Sequence, residues 1–165
     1  MGQALKRLIS YVKEKLEELG IAVLVDQSSN EAHPLGRTEW IKLYGALLNE
    51  EERAAQLFDR QKEYLNLGST GDTGTTAAFF HISSSGRVVA RKSGDYVSKM
   101  IDMAGGTYVF DDLGDPETGT STVAIEMETF FAAAKDADCI IYNSTIDGEL
   151  ETLADLIAKN ELLAE

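Results

Sequence analysis

The sequence predicts an α/β fold: a three-layer αβα, Rossmann-like lobe with a mainly parallel sheet, preceded by a long helical segment. Three observations carry this. From about residue 76 onward, short apolar runs alternate with stretches of helical period. Before them, residues 35–66 show helical spacing and no strand signal. The chain has 165 residues, 44% apolar and 26% charged, which suits roughly one globular domain. There is no run of about eighteen apolar residues, so no helix here spans a membrane. The single cysteine, Cys139, excludes an internal disulfide and a multi-cysteine metal site.

Taken in order, Leu5, Leu8, Val12, Leu16 and Leu19 form one stripe of an amphipathic helix, and Gly20 follows where a helix end favours positive φ. Ile21–Val25 is wholly apolar and predicts a strand buried on both faces. Residues 26–33 are polar and read as a loop, with Pro34 in the first turn of the next helix. Trp40, Leu43, Tyr44, Leu47 and Leu48 share a face. Asn49-Glu50-Glu51-Glu52 has the form of an N-cap with an acidic first turn, so the helical stretch breaks or bends near Asn49. Leu67–Thr75, rich in glycine, reads as a linker.

Beyond it, Ala77–Ile82 predicts a strand, Ser83–Gly86 a turn and Val88–Ala90 an extended piece. Ser93 is placed to cap a helix bearing Val97, Met100, Ile101 and Ala104, ended by Gly105-Gly106. Thr107–Phe110 predicts a strand, followed by an acidic loop to about Thr122. Val123, Met127, Phe130, Phe131 and Ala134 fit a helix, and Cys139–Tyr142 a strand in which the cysteine acts as a small buried hydrophobe. Thr152 and Asp155 have capping-box spacing before a last helix. Such alternation implies parallel strands with ligands beyond their carboxyl ends, here Ser83–Gly86, Asp111–Gly119 and Asn143–Gly148. One further strand is expected to close the sheet, and the first helix and strand lack partners, as in a piece of something larger.

Net charge is −13, which argues against nucleic acid as a partner. Residues 1–99 hold thirteen basic and thirteen acidic side chains, whereas residues 100–165 hold two against fifteen. That acidic half reads as solvated surface or as a face that docks on a cationic partner. Arg87, Arg91, Lys92 and Lys99 cluster around a predicted helix start, beside Ser83, Ser84, Ser85, Ser93 and Gly94. Guanidinium forks and helix N-termini both favour anionic oxygens, so this is a candidate anion site. Gly68–Gly74 precedes a strand and lacks the Lys-Ser/Thr of a phosphate loop, and no Gly-Xaa-Ser-Xaa-Gly is present. His81 reads as a core or edge residue, and His33 as a ligand contact or a cap. Asp111, Asp112, Asp115 and Glu117 match no calcium loop. Asn143-Ser144-Thr145 is formally a glycosylation sequon and reads more simply as a polar triplet at a strand end.

Several segments together resemble a known family. They are Phe79–Gly86, Arg91–Val97, Met103–Gly106, Ala137–Leu150 and His33–Lys42. In this order they are similar to the C-terminal lobe of the substrate-binding proteins of ABC importers, in the iron-siderophore, haem and cobalamin class. The resemblance implies two Rossmann-like lobes joined by a helical spine, with ligand clamped between them. Residues 1–32 would be a remnant of the N-terminal lobe, 33–69 the spine and 70–165 a C-terminal lobe lacking its last strand. It implies capture of a ferric siderophore or similar iron chelate without chemistry: no catalytic residue, cofactor or resident metal. Ser83, Ser84, Ser85, Arg87, Arg91, Tyr96, Asn143, Ser144 and Thr145 would meet the ligand, with His33 and Arg37 from the spine side. Glu128, or alternatively Glu126, would dock on arginines of the membrane permease. The parent would be extracytoplasmic, periplasmic or lipid-anchored, although this chain starts without a signal peptide. A monomer is expected, with an edge-paired dimer through the open sheet as the alternative. The residues alone leave open a small α/β nucleotide- or anion-binding enzyme domain, or a truncated fragment without independent activity.

Overall fold

The computed structural model describes residues 3–68, 71–114, 121–146, 148 and 150–164. Ser69 and Thr70 of the expected linker, Asp115–Gly119 of the acidic loop, and Asp147 and Glu149 lie outside the described residues. The chain forms two compact units, residues 1–30 and residues 31–165.

The first unit holds α1 (Gln3–Glu18) and a short 3-10 turn, Ser28–Asn30. Gly20 ends α1 at φ +76°, where its N–H donates to the Glu17 carbonyl (2.9 Å) and that of Ile21 to Leu16 (3.0 Å). This is the double closure that a left-handed residue permits at a helix C-terminus. Ile21–Val25 is not a strand. A strand exists only where a neighbour pairs with it, and among the described residues none pairs with this run.

The second unit opens with three consecutive helices: α2 (Pro34–Glu39), α3 (Ile41–Leu48) and α4 (Glu51–Gly68). The expected break falls at Asn49, but the residue ends α3 instead of starting α4. It adopts the left-handed conformation (φ 54°, ψ 41°) and donates its backbone N–H to the Gly45 carbonyl. Gly45 is buried, and a Cβ there would lie 2.5 Å from that of Ala54. The α3–α4 crossing is therefore closer than any larger residue allows.

Among the described residues five strands follow: β1 (Thr76–Ile82), β2 (Val88–Arg91), β3 (Thr107–Tyr108), β4 (Thr122–Ile125) and β5 (Cys139–Tyr142). The helices among and after them are α5 (Tyr96–Met103), α6 (Met127–Ala134) and α7 (Leu153–Ile157). β1 pairs parallel with β3 and β5, and antiparallel with β2, which pairs antiparallel with β4. The α/β class holds, with the sheet mixed: the turn at Ser83–Gly86 is too short for a parallel crossover, so β2 folds back as a hairpin. Ala77 pairs with both Tyr108 and Cys139, and Phe80 with both Ala90 and Tyr142. β3 and β2 thus follow one another along one edge of β1, and β5 occupies the other.

Three expectations differ in detail. Val123 lies in β4 and not in a helix, because Thr122–Ile125 answers the outer edge of β2, pairing Val89 with Ala124. The cap of α5 is Asp95, whose Oδ1 accepts from the Val97 N–H at 3.0 Å, rather than Ser93. Cys139 is exposed: among the described residues β5 pairs with β1 alone, and Ile140 and Ile141, on opposite faces, are both exposed. The capping box at Thr152 and Asp155 is present as read.

The core sits on the β1 face that carries Ala78, Phe80 and Ile82. Phe80, fully buried, meets Phe130 of α6 at 4.2 Å between ring centroids and Tyr142 edge-on at 5.3 Å. By strand alternation the opposite face carries Ala77, Phe79 and His81 of β1 with Val89 and Arg91 of β2. His81 is buried there.

Candidate ligand-binding site

The residues expected at the site fall into three places. The first is the β1–β2 turn with the end of β5. Gly86, at φ +80°, closes a three-residue loop in which the Ser83 N–H donates to the Arg87 carbonyl at 2.9 Å. The Ser83 hydroxyl donates to the same carbonyl at 3.0 Å and lies 2.9 Å from that of Ser85, so these hydroxyls brace the turn. Ser84 is exposed. Arg87 turns to β4: its Nη2 donates to the Ala124 carbonyl at 3.0 Å, and its Nε lies 3.0 Å from Glu126 Oε1. Across β1, the Asn143 N–H donates to the Phe80 carbonyl at 2.8 Å. Asn143 Oδ1 accepts from the Thr145 N–H (3.2 Å) and hydroxyl (2.6 Å), an Asx turn with Ser144 at its centre.

The second place lies where β2 leads into α5. The Arg37 guanidinium, from α2, sits 3.6 Å above the Tyr96 ring centroid. Arg91 reaches the same ring at 5.9 Å and that of Phe79 at 5.6 Å. Both contacts are within the range of cation–π attraction. Asp95, buried, lies 3.6 Å from Arg91 Nη1 and caps α5 with its other oxygen. Arg37 is held from behind by Glu31, whose carbonyl accepts from Arg37 Nε at 3.0 Å and whose carboxylate accepts from Trp40 Nε1 at 3.1 Å. Two guanidinium groups thus lie 3.6 and 5.9 Å from one phenol ring centroid, the farther of them also paired with the buried Asp95 carboxylate. Guanidinium forks gathered at a ring suit planar anionic oxygens such as carboxylates and catecholates.

The third place is His33. Its Nδ1 accepts from the Leu35 N–H at 3.1 Å, capping α2. The residue also lines a cavity of about 550 Å³ with Leu35, Lys62, Asp102 and Met103, near Thr107 at the start of β3. This is the amino end of the parallel strands, opposite the turn at Ser83. Glu128 stands exposed in the first turn of α6, whereas Glu126 is engaged by Arg87.

Reading from sequence overlooked Tyr108. It is buried, and its hydroxyl lies 2.9 Å from the Arg91 amide nitrogen, 3.0 Å from the Arg91 carbonyl and 3.3 Å from that of Phe79. Burial, the largest cause, pushes its phenol well above the ordinary tyrosine range, so it stays a neutral donor. A tyrosine inside an apolar run gives no sign of this role. Glu31, in a polar loop, gave none either.

Comparison with solved structures identifies the architecture. The chain has a TM-score of 0.73 to the periplasmic heme-binding protein HutB of Vibrio cholerae, at 16% identity, covering 94% of this chain and 58% of that one. It scores 0.67 against an ABC-type Fe3+-hydroxamate transport system from Saccharomonospora viridis, at 21% identity and with 90% and 51% covered. The vitamin B12-binding protein BtuF of Vibrio cholerae scores 0.52 at 15% identity, with 94% and 57% covered. The chain carries the lobe fold of the substrate-binding proteins of ABC importers.

Its curated relatives are two uncharacterized lipoproteins of Methanocaldococcus jannaschii. One is 31% identical over 134 residues, 79% of this chain and 31% of the relative. The other is 30% identical over 161 residues, 93% and 40% respectively. The chain thus spans less than half the length of the curated relatives it matches. No protein-family profile matches the sequence.

Proposed function

We propose that the chain is part of the solute-binding component of an ABC import system, capturing an anionic ferric chelate and presenting it to a membrane permease. The observation that carries this reading is the pair of guanidinium groups, Arg37 and Arg91, on the Tyr96 ring. A catecholate or carboxylate chelate offers delocalised negative oxygens that such a pair binds through charge-assisted hydrogen bonds. Names of the structural neighbours, a heme-binding protein, an Fe3+-hydroxamate transport system and a vitamin B12-binding protein, support the substrate class. Function is capture, not catalysis.

Residues 1–30 would belong to the opposing lobe, and residues 31–68 to the spine on which Arg37 is mounted. Glu128 is the docking carboxylate, because Arg87 already neutralises Glu126. The acidic excess of residues 100–165 has the sign that a cationic permease surface requires. The lipoprotein names of the curated relatives support an extracytoplasmic site of action. His33, the Ser83–Ser85 turn, Arg87 and the Asn143–Thr145 turn would frame the surface at greater distance.

The test is titration of the longer parent protein with ferric catecholate, haem and cobalamin, followed by Trp40 fluorescence. Ferric catecholate is expected to bind, and Arg37→Ala and Arg91→Ala each to weaken it roughly tenfold, the effect of one charged hydrogen bond. Absence of any response to all three ligands overturns the reading.

A further inference from the structure

We infer that Tyr108 is the positioning residue of the Arg37–Tyr96–Arg91 surface, acting through the backbone of Arg91; this rests on the ligand site proposed above. The argument begins with the edge of β1. That edge serves β3 at Thr76–Ala77 and β2 at Phe80–Ile82, which leaves Ala78 and Phe79 between the two ladders. On the β2 side the next residue in register is Arg91. The ladder does not close there. The Tyr108 hydroxyl stands in the gap, accepting from the Arg91 N–H at 2.9 Å, with its own proton directed to the carbonyls of Arg91 (3.0 Å) and Phe79 (3.3 Å). A backbone pair would bring Phe79 and Arg91 together directly. The phenol instead holds them one hydroxyl apart and so sets the path on which β2 parts from β1, while Arg91 stays in register with Thr122 of β4 and the Lys92 N–H donates to the Ser121 carbonyl (3.1 Å).

Apart from Arg37, which α2 supplies, the residues the proposed site needs lie on that path. Arg91 is the last residue of β2, and Asp95 and Tyr96 start α5 four and five residues on. The segment between them is fixed by the Asp95 N–H to the Lys92 carbonyl (3.0 Å) and the Ser98 hydroxyl to the same carbonyl (2.7 Å). A shift of Arg91 therefore carries Lys92, Asp95 and Tyr96 with it, and moves the Tyr96 ring from under Arg37. Tyr108 itself is buried and set back from the proposed ligand surface, so its influence passes through the backbones of Arg91 and Phe79 that it bonds.

A double-mutant cycle on the longer parent protein tests this, read by Trp40 quenching with whichever of ferric catecholate, haem and cobalamin binds. Tyr108→Phe is expected to weaken binding roughly five- to tenfold. In the Arg91→Ala background the same change is expected to cost less than it does with Arg91 present, because one of the two guanidinium groups it positions is gone and only the shift of Tyr96 under Arg37 is left. Equal losses in the two backgrounds would mark a general structural effect and overturn the inference, as would no loss in the chain that keeps Arg91. If Arg91→Ala itself leaves binding intact, the ligand site is misplaced and the inference falls with it. If Arg91→Ala weakens binding and Tyr108→Phe does not, only the inference falls. Hydrogen exchange at the Arg91 amide of the unmutated parent gives a reading independent of any variant's folding. Slow exchange is expected, and exchange as fast as at exposed Ser84 overturns the clamp.

Discussion

The two edges of β1 are built on different principles. On one, β2 and β3 meet the strand with Val88, Ala90 and Tyr108 all buried, and a phenol fills the gap between ladders. On the other, β5 presents Cys139, Ile140 and Ile141 to solvent. It is held at its amino end by an exposed clip between Thr76 and Asp138, and at its carboxyl end by Asn143 on Phe80. The residues with the chemistry of anion capture stand beyond the first edge. Buried contacts define their placement, which is what a preorganised site requires.

The largest effect is expected where both edges depend on one side chain. Phe80 pairs with β2 and β5 through its backbone and fills the core with its ring. Phe80→Ala is expected to cost about 3–5 kcal/mol by combined transfer and cavity terms, read as a lower midpoint in urea unfolding. A cost under about 1 kcal/mol would mean that the two edges hold independently of the core between them.

Next comes the buried edge alone. Tyr108→Phe keeps the ring and strands the Arg91 N–H, a loss of about 1–3 kcal/mol. Its pH dependence has a definite sign. The folded phenol titrates above its unfolded value, so its contribution is complete below about pH 10 and is lost as pH rises beyond that. Wild type is expected to lose stability above pH 10 more steeply than Tyr108→Phe, measured by denaturation at pH 9 and pH 11. By contrast Ile141→Ala, on the exposed edge, is expected to change stability by about 0.5 kcal/mol or less.

How far the sequence was legible follows the same division. Local chemistry was readable: the Gly20 terminus, the capping box at Thr152 and the break at Asn49 each follow from a residue's own backbone preference. Strands β1 and β5 were readable because apolar runs mark them. What failed were features decided by a distant partner. Val123 has a helical neighbour pattern with Met127 and Phe130, yet the unpaired edge of β2 claims it for β4. Ile21–Val25 has every local mark of a strand and, among the described residues, no neighbour to make it one. At the site, Arg37, Arg91 and Tyr96 were each nameable from motif resemblance. That α2 lays Arg37 on the Tyr96 ring, and that Tyr108 holds Arg91 from beneath, are tertiary facts with no local trace.

The smallest effect is expected at the clip that fastens β5. Asp138 Oδ2 accepts from both the N–H and the hydroxyl of Thr76 at 2.8 Å, while the Thr76 hydroxyl accepts from the Asp138 N–H at 3.0 Å. These bonds, first that from the Thr76 backbone, hold the carboxyl below its ordinary range. A depressed folded value means that the contribution is present above the unfolded value of about 3.9 and is lost as pH falls through the folded one. Asp155, lowered by Thr152, loses stability in the same direction, so acid sensitivity of the whole chain does not isolate the clip. Asp138→Asn does. It removes one share of the acid-dependent loss and leaves the share of Asp155, so the difference in urea midpoint between pH 6 and pH 3 is expected to shrink but not vanish. An unchanged difference would show that the clip contributes nothing, and that the exposed edge is held by Asn143 and the β1–β5 ladder alone.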